Sequence, residues 1–287
     1  MMRNTAGSMS GWRRVGMLIP SSNTSIEREY PAWMPRDLSF HFARLTLTRL
    51  DADGMAEQLA DMRRAVASLR DARVDAVLLC QTAASYWMGR DWDAEIRREM
   101  TEWAAAPALT AAATVQEALL LRREAQEIET TAAGKVRGLR ARGNALVRRL
   151  GLRSANLDAL AALDASRICF AAPFPAEIGE ASLRYLTACG MTVIRSAFGE
   201  LRDNFAIAEM EGAEVIELAL RADHPEAQAL LMPGGNMPCL ALAEEIEARI
   251  GKPMVSTNQA GMWALLRLFG LDDRIPGAGR LLRERPG

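Results

Sequence analysis

Two short stretches of the chain carry residue types that could hold an acid. Pro20-Ser21-Ser22-Asn23-Thr24 and Leu230-Leu231-Met232-Pro233-Gly234-Gly235-Asn236-Met237-Pro238-Cys239 each pass from an apolar run through small polar residues into a helical pattern. Such a turn presents backbone N–H groups at a helix N-terminus, where anions are favoured. Ser21, Ser22 and Asn23 are read as one carboxylate-binding turn. Gly234, Gly235 and Asn236 are read as a second, whose glycines let N–H groups approach a carboxylate or an enolate-like oxyanion. Gln81 and Thr82, at the mouth of another apolar run, are read as ligand contacts, because an amide is no general base near neutral pH.

The thiols are the candidate proton donors or nucleophiles. Cys239 follows Pro238, a favoured first helical residue, so its thiol is expected in a first helical turn, where thiol pKa falls. Cys80 closes the apolar run before Gln81, while Cys169 and Cys189 sit in strand and helix patterns and read as core. Four scattered cysteines fit reduced thiols in a cytoplasmic protein better than a disulfide framework. With only His41 and His224, no C-x-x-C and no H-E-x-x-H, the chain gives no zinc pattern.

These residues need elements to position them, and the chain alternates strand and helix. Strands are expected at 14–19, 40–47, 75–80 and 108–112, with helices over 54–70, 92–105 and from 114 onward. The pattern restarts with strands at 167–172, 192–196, 229–232 and 253–256, separated by helices at 176–189, 211–221 and 240–250 and closed by a helix at 260–268. The tail 271–287 shows no periodicity. Strand–helix–strand order with nearly all-apolar strands predicts parallel sheets buried on both faces, an α/β doubly wound fold. Residues 121–163 form a basic, glycine-interrupted helical excursion longer than an ordinary crossover. Tyr86, Trp87 and Trp92 read chiefly as helix-to-sheet packing.

Composition sets the outer limits. The 287 residues are 49% hydrophobic and 25% charged, with a net charge of -1. A chain so balanced lacks the basic face that nucleic acid needs, and no apolar run approaches the roughly 20 residues of a membrane span. The start reads as a frayed terminus rather than a signal peptide.

The motifs resemble a known group. Pro20-Ser21-Ser22-Asn23-Thr24 is similar to the opening signature of maleate cis-trans isomerases, and Asp203-Asn204-Phe205-Ala206-Ile207 to their mid-chain motif. Met237-Pro238, Glu244-Glu245-Ile246-Glu247, Gly251-Lys252-Pro253-Met254-Val255-Ser256 and Ala260-Gly261-Met262-Trp263-Ala264 resemble the last third of maleate isomerases and arylmalonate decarboxylases. Both belong to the aspartate/glutamate racemase superfamily. The resemblance covers most of the chain outside 121–163. It implies two pseudo-symmetric flavodoxin-like lobes: 1–115 with 258–287, and 116–257 including the excursion. It also implies a site between the lobes, with Asn204 offering an amide to the second polar end of the ligand, no cofactor and a homo-oligomer.

The resemblance further implies two cysteines, one at the end of the 75–79 strand and one just after Leu231. Matching residues 81–86 puts Gln81 at the first position and Cys80 one residue early, which on a strand turns the side chain to the opposite face; another register restores it. At the second position stand Met232-Pro233-Gly234-Gly235, and Phe174 replaces a usual tyrosine. The expectation is a cofactor-independent isomerase, racemase or decarboxylase-like lyase acting on a small mono- or dicarboxylic acid, with Cys80 or Cys239 supplying the thiol. The alternative is a non-catalytic small-acid binder that has lost the thiols.

Overall fold

The structure, a computed structural model, describes residues 12–47, 51–112 and 165–284. The excursion at 121–163 lies outside the described residues. The first half runs β1 (Arg13–Pro20), α1 (Ile26–Trp33), β2 (Leu38–Leu45), α2 (Ala52–Ala60), α3 (Met62–Asp71), β3 (Ala76–Leu79), α4 (Ala83–Met88), α5 (Arg90–Ala104) and β4 (Ala108–Thr110). The second runs β5 (Arg167–Ala172), α6 (Ala176–Ala188), β6 (Thr192–Phe198), α7 (Asn204–Ala208), α8 (Gly212–Ala222), β7 (Ala229–Met232), α9 (Ala243–Ile250), β8 (Met254–Ser256), α10 (Thr257–Phe269) and α11 (Gly279–Glu284).

The strands make two four-stranded parallel sheets, ordered β2-β1-β3-β4 and β6-β5-β7-β8. The expected α/β fold of two similar lobes is therefore present. Strand alternation divides the first sheet between two cores. Leu18, Val77 and Leu79 pack with Val66, Leu69, Ile96 and Met100. Met17, Ile19 and Leu78 face the other way, into a core continuous with that of the second lobe. Tyr86 of α4 packs on Tyr185 of α6 with ring centroids 5.1 Å apart, which confirms Tyr86 as packing; Trp87 is exposed.

α10 ties the two halves together. A capping box between Ser256 and Gln259 starts it at the end of β8. Gly261 then lies against Tyr30 of α1 and Leu78 of β3. The tail after it is not irregular: α11 docks where both carboxylate oxygens of Glu247 accept the Arg280 N–H, while the Gln259 side chain donates to the Ala278 carbonyl. Another difference falls at 54–70, where one helix was expected. The helix breaks at Asp61, whose carboxylate takes both Arg64 donors at the start of α3.

Candidate functional site

In a strand order of 2-1-3-4 the chain changes direction between the first and third strands, and ligands of open α/β sheets bind beyond the strand ends at that point. Both lobes place this switch point at one shared cleft of about 370 Å³, mouth included. Pro20 ends β1, Cys80 follows β3, Phe174 follows β5 and Gly234 follows β7; all four line the cleft.

The first turn is fixed by its own hydrogen bonds. Ser21 Oγ accepts from the Leu47 N–H (3.0 Å), and Ser22 Oγ donates to the Leu47 carbonyl. Both serine hydroxyls are thus engaged in holding the turn to the segment after β2, and neither residue lines the cleft. Asn23 does. Its Oδ1 accepts from the Ser25 and Ile26 N–H groups at 3.1 and 3.0 Å, the capping role of an Asn before a helix. With the oxygen so held, the side chain is oriented and its Nδ2 remains as the donor. Beneath the turn Arg44, which the sequence reading missed, donates to the carbonyls of Ser21 and Asn23 and to Glu27. A lone arginine in an edge strand gave no signal for this.

The second turn comes from β7. Gly234 has φ +114°, in the left-handed region that favours glycine, and its N–H donates to Thr257 Oγ1. Gly235 sits so close to the other lobe that a Cβ would come 3.0 Å from the Cys80 carbonyl oxygen. The N–H groups of Gly235 and Asn236 have no partner among the described residues.

Asn236 lines the cleft, but its side chain is fully used. Its Oδ1 accepts from the Thr24 and Ser25 N–H groups, and its Nδ2 donates to the carbonyls of Ser22 and Asn204. It bridges the lobes, so what it offers a ligand is its backbone N–H. Asn204 bridges too: Nδ2 donates to Ser22 Oγ at 2.8 Å. Gln81 and Thr82 lie in the cleft wall.

Neither candidate thiol presents itself as an activated nucleophile. Cys80 lines the cleft, yet its Sγ turns back to donate to the Leu78 carbonyl at 3.4 Å, and burial pushes its pKa well above the ordinary thiol value. Cys239 lies outside the cleft lining, just before a single 3₁₀ turn rather than in an α-helical first turn. Burial first, then the Glu29 charge, pushes its pKa up to about 12, against the fall expected for a helix start. A helix dipole lowers a thiol pKa only where the thiolate is solvated or paired; here desolvation wins. Among the described residues, none that lines the cleft carries a charge. Among the described residues no cluster of His, Cys, Asp and Glu converges to hold a metal.

The arrangement is a small cleft whose described lining is uncharged and draws Asn23 from one lobe and Gly235 and Asn236 from the other. Its chain is similar throughout to known enzymes. A family model described as arylmalonate decarboxylase matches residues 15–135 and 144–282. A maleate isomerase of Nocardia farcinica is 28% identical over 279 residues, covering 96% of this chain and 97% of that one. An arylmalonate decarboxylase of Bordetella bronchiseptica is 26% identical over 279 residues, covering 94% and 96%. The solved Nocardia farcinica maleate cis-trans isomerase, a cysteine-to-serine mutant with a covalently bound succinylcysteine intermediate, superposes with a TM-score of 0.78 at 27% identity, covering 96% and 99%.

Proposed function

The chain belongs to the arylmalonate decarboxylase family, in the maleate isomerase and arylmalonate decarboxylase branch of the aspartate/glutamate racemase superfamily, and from that premise we propose that it converts a small carboxylic acid held between its lobes. The reaction is cofactor-independent isomerisation, racemisation or decarboxylation. One observation carries the reading: Asn23, whose amide is oriented by the two N–H groups that grip its oxygen, lines the same cleft as Gly235 and Asn236, whose N–H groups have no partner among the described residues.

All three reactions build negative charge on carboxylate oxygens as a carbanion or enediolate forms. Donors already fixed toward those oxygens stabilise that charge without reorganising, which is commonly the largest electrostatic contribution to such catalysis. Thr82 and Gln81 would contact the acid from the β3 side. Among the three reactions, decarboxylation fits this neutral wall best, since carbon–carbon cleavage needs charge stabilisation more than a base. A thiol kept protonated by burial, as Cys80 is, suits returning a proton to a carbanion rather than attacking a double bond, once its S–H swings from the Leu78 carbonyl toward the ligand.

The second reading, a binder of the same acid without turnover, is favoured by an uncharged cleft lining among the described residues. Proton NMR in deuterated water with maleate, aspartate, arylmalonates and alkylmalonates separates the two. Exchange, isomerisation or decarboxylation of one acid, lost in Asn23→Ala, is the expected result. Saturable thermal shifts with no turnover would select the binder, and silence in both assays would sink the carboxylate cleft itself.

A further inference from the structure

Next to the second turn, outside the cleft lining, one buried amide joins three parts of the chain. Asn258, the second residue of α10, is 2% exposed. Its Nδ2 donates to Glu29 Oε2 of α1 at 2.6 Å and to the Gly235 carbonyl at 3.1 Å. Its Oδ1 is buried without a hydrogen-bond partner among the described residues. Gly235 has no slack, because a Cβ there would lie within 3.0–3.2 Å of the Cys80 carbonyl, the Ile26 side chain and Asn258 Oδ1. The peptide after Gly235 is trans, so its N–H, that of Asn236, points opposite to the carbonyl that Asn258 holds.

We propose, resting on the carboxylate cleft argued above, that Asn258 is a positioning residue: braced by Glu29, it fixes the Gly235–Asn236 peptide so that the Asn236 N–H is held ready for the bound acid, and the charge on Glu29 sets how firmly. Hydrogen bonds to an ionised carboxylate are roughly twice as strong as those to a neutral acceptor. Burial pushes the Glu29 carboxyl up to about 7, with the Asn258 hydrogen bond and Arg28 pulling it back down. The other titratable groups that face it are Tyr30 on its own helix and Cys239 from the turn after β7. Arg44 of β2 pairs with Glu27 instead, and α10 presents the Asn258 amide.

Gly234–Gly235 is the only Gly–Gly pair in the sequence. Glycine labelled with ¹³C at its carbonyl and ¹⁵N therefore marks the Gly235 nitrogen alone by a one-bond coupling. In the ligand-free protein the Gly235 amide resonance should titrate with a midpoint near 7, and should stay flat from pH 5.5 to 8.5 in Glu29→Gln and in Asn258→Ala. Maleate or phenylmalonate, followed by thermal shift, should bind at least tenfold more weakly to Asn258→Ala.

A flat wild-type resonance would overturn the proposal. So would an unchanged titration in Asn258→Ala, which would mean that the Glu29 charge acts through space and not through the amide. If Asn258→Ala fails to fold, Glu29→Gln keeps the side-chain shape, and a titration persisting there overturns the proposal equally. Because the resonance is read without ligand, the two claims fail separately. Acids that bind wild type and Asn258→Ala alike sink the positioning role, whereas the expected titration with no acid binding supports the Asn258 grip and sinks the cleft reading.

Discussion

Asn23 shows how much one side chain's orientation decides. The same residue type without its oxygen held by Ser25 and Ile26 would be free to flip its amide; held, it is a fixed donor. Asn23→Ala should weaken acid binding by tenfold or more, the size of about one hydrogen bond to a charged group, roughly 1.5–3 kcal/mol, read by calorimetric titration. The thiols give a second test. Cys239, with its pKa pushed up to about 12, holds roughly a thousandfold less thiolate at pH 8 than a free cysteine. Iodoacetamide should label it and Cys80 only slowly in the native protein and rapidly after denaturation; a fast native reaction at either would return that thiol to the list of nucleophiles. Glu29 gives a third. Its folded carboxyl holds a proton up to about 7, above its ordinary 4.5, so its contribution to stability is full below about 4.5 and lost as pH rises to 7. Glu29→Gln should match wild type near pH 5 and exceed it at pH 8 by roughly 1–3 kcal/mol. Urea unfolding at the two values checks this, and a variant weaker at pH 8 would refute it.

At the scale of elements, α10 has the most to lose from a small change. Its Gly261 is the point where this helix, entered from β8, meets Tyr30 of α1 and Leu78 of β3. Alanine is the better helix former by about 1 kcal/mol, yet the added methyl has no space, and overpacking costs about 1–3 kcal/mol. Gly261→Ala should therefore lower the unfolding free energy despite the propensity gain, measured by urea denaturation. A stabilised variant would show that Tyr30 can move aside. α10 also carries Asn258 at its start, so a shift of Tyr30, whose hydroxyl donates to the Asn258 carbonyl, should disturb acid binding as well.

For the whole molecule the decisive feature is that the two lobes meet through polar side chains beside the cleft. Asn236 makes four side-chain hydrogen bonds, three of them to the Ser22–Ser25 segment of the first lobe. Removing it strands buried backbone groups, each costing about 1–3 kcal/mol. Asn236→Ala should lose about 3 kcal/mol or more of stability and also lose acid binding. Asn236→Asp keeps the acceptor and forfeits the donors, so it should fall between the two on urea unfolding; equal stability of all three would mean that the lobes are held elsewhere.

The sequence alone determined the strand order, the parallel α/β architecture and the two small polar turns at strand ends, because apolar period and turn composition are local signals, and its motifs carried the family by resemblance. The extent of the helix at Ile26–Trp33, the helices Asn204–Ala208 and Gly279–Glu284 and the break at Asp61 it did not determine. Asn23, Gln81, Thr82, Gly234, Gly235 and Asn236 were legible as residues of strand ends and turns, which is where the cleft lies, whereas Asn204, the first residue of α7, was reached only through the resemblance of its motif. Only the tertiary structure decided what each polar side chain spends its hydrogen bonds on. Asn23 and Asn236 look alike in sequence, yet one keeps a donor for a ligand and the other is saturated by partners 211 to 214 positions away. Ser21 and Ser22 are turned to Leu47, Cys239 is buried beside Glu29, and Arg44 and Asn258 support the turns from segments that carry no motif. Hydrogen-bond saturation and desolvation depend on which distant groups the fold brings within about 3 Å, and no local pattern encodes that.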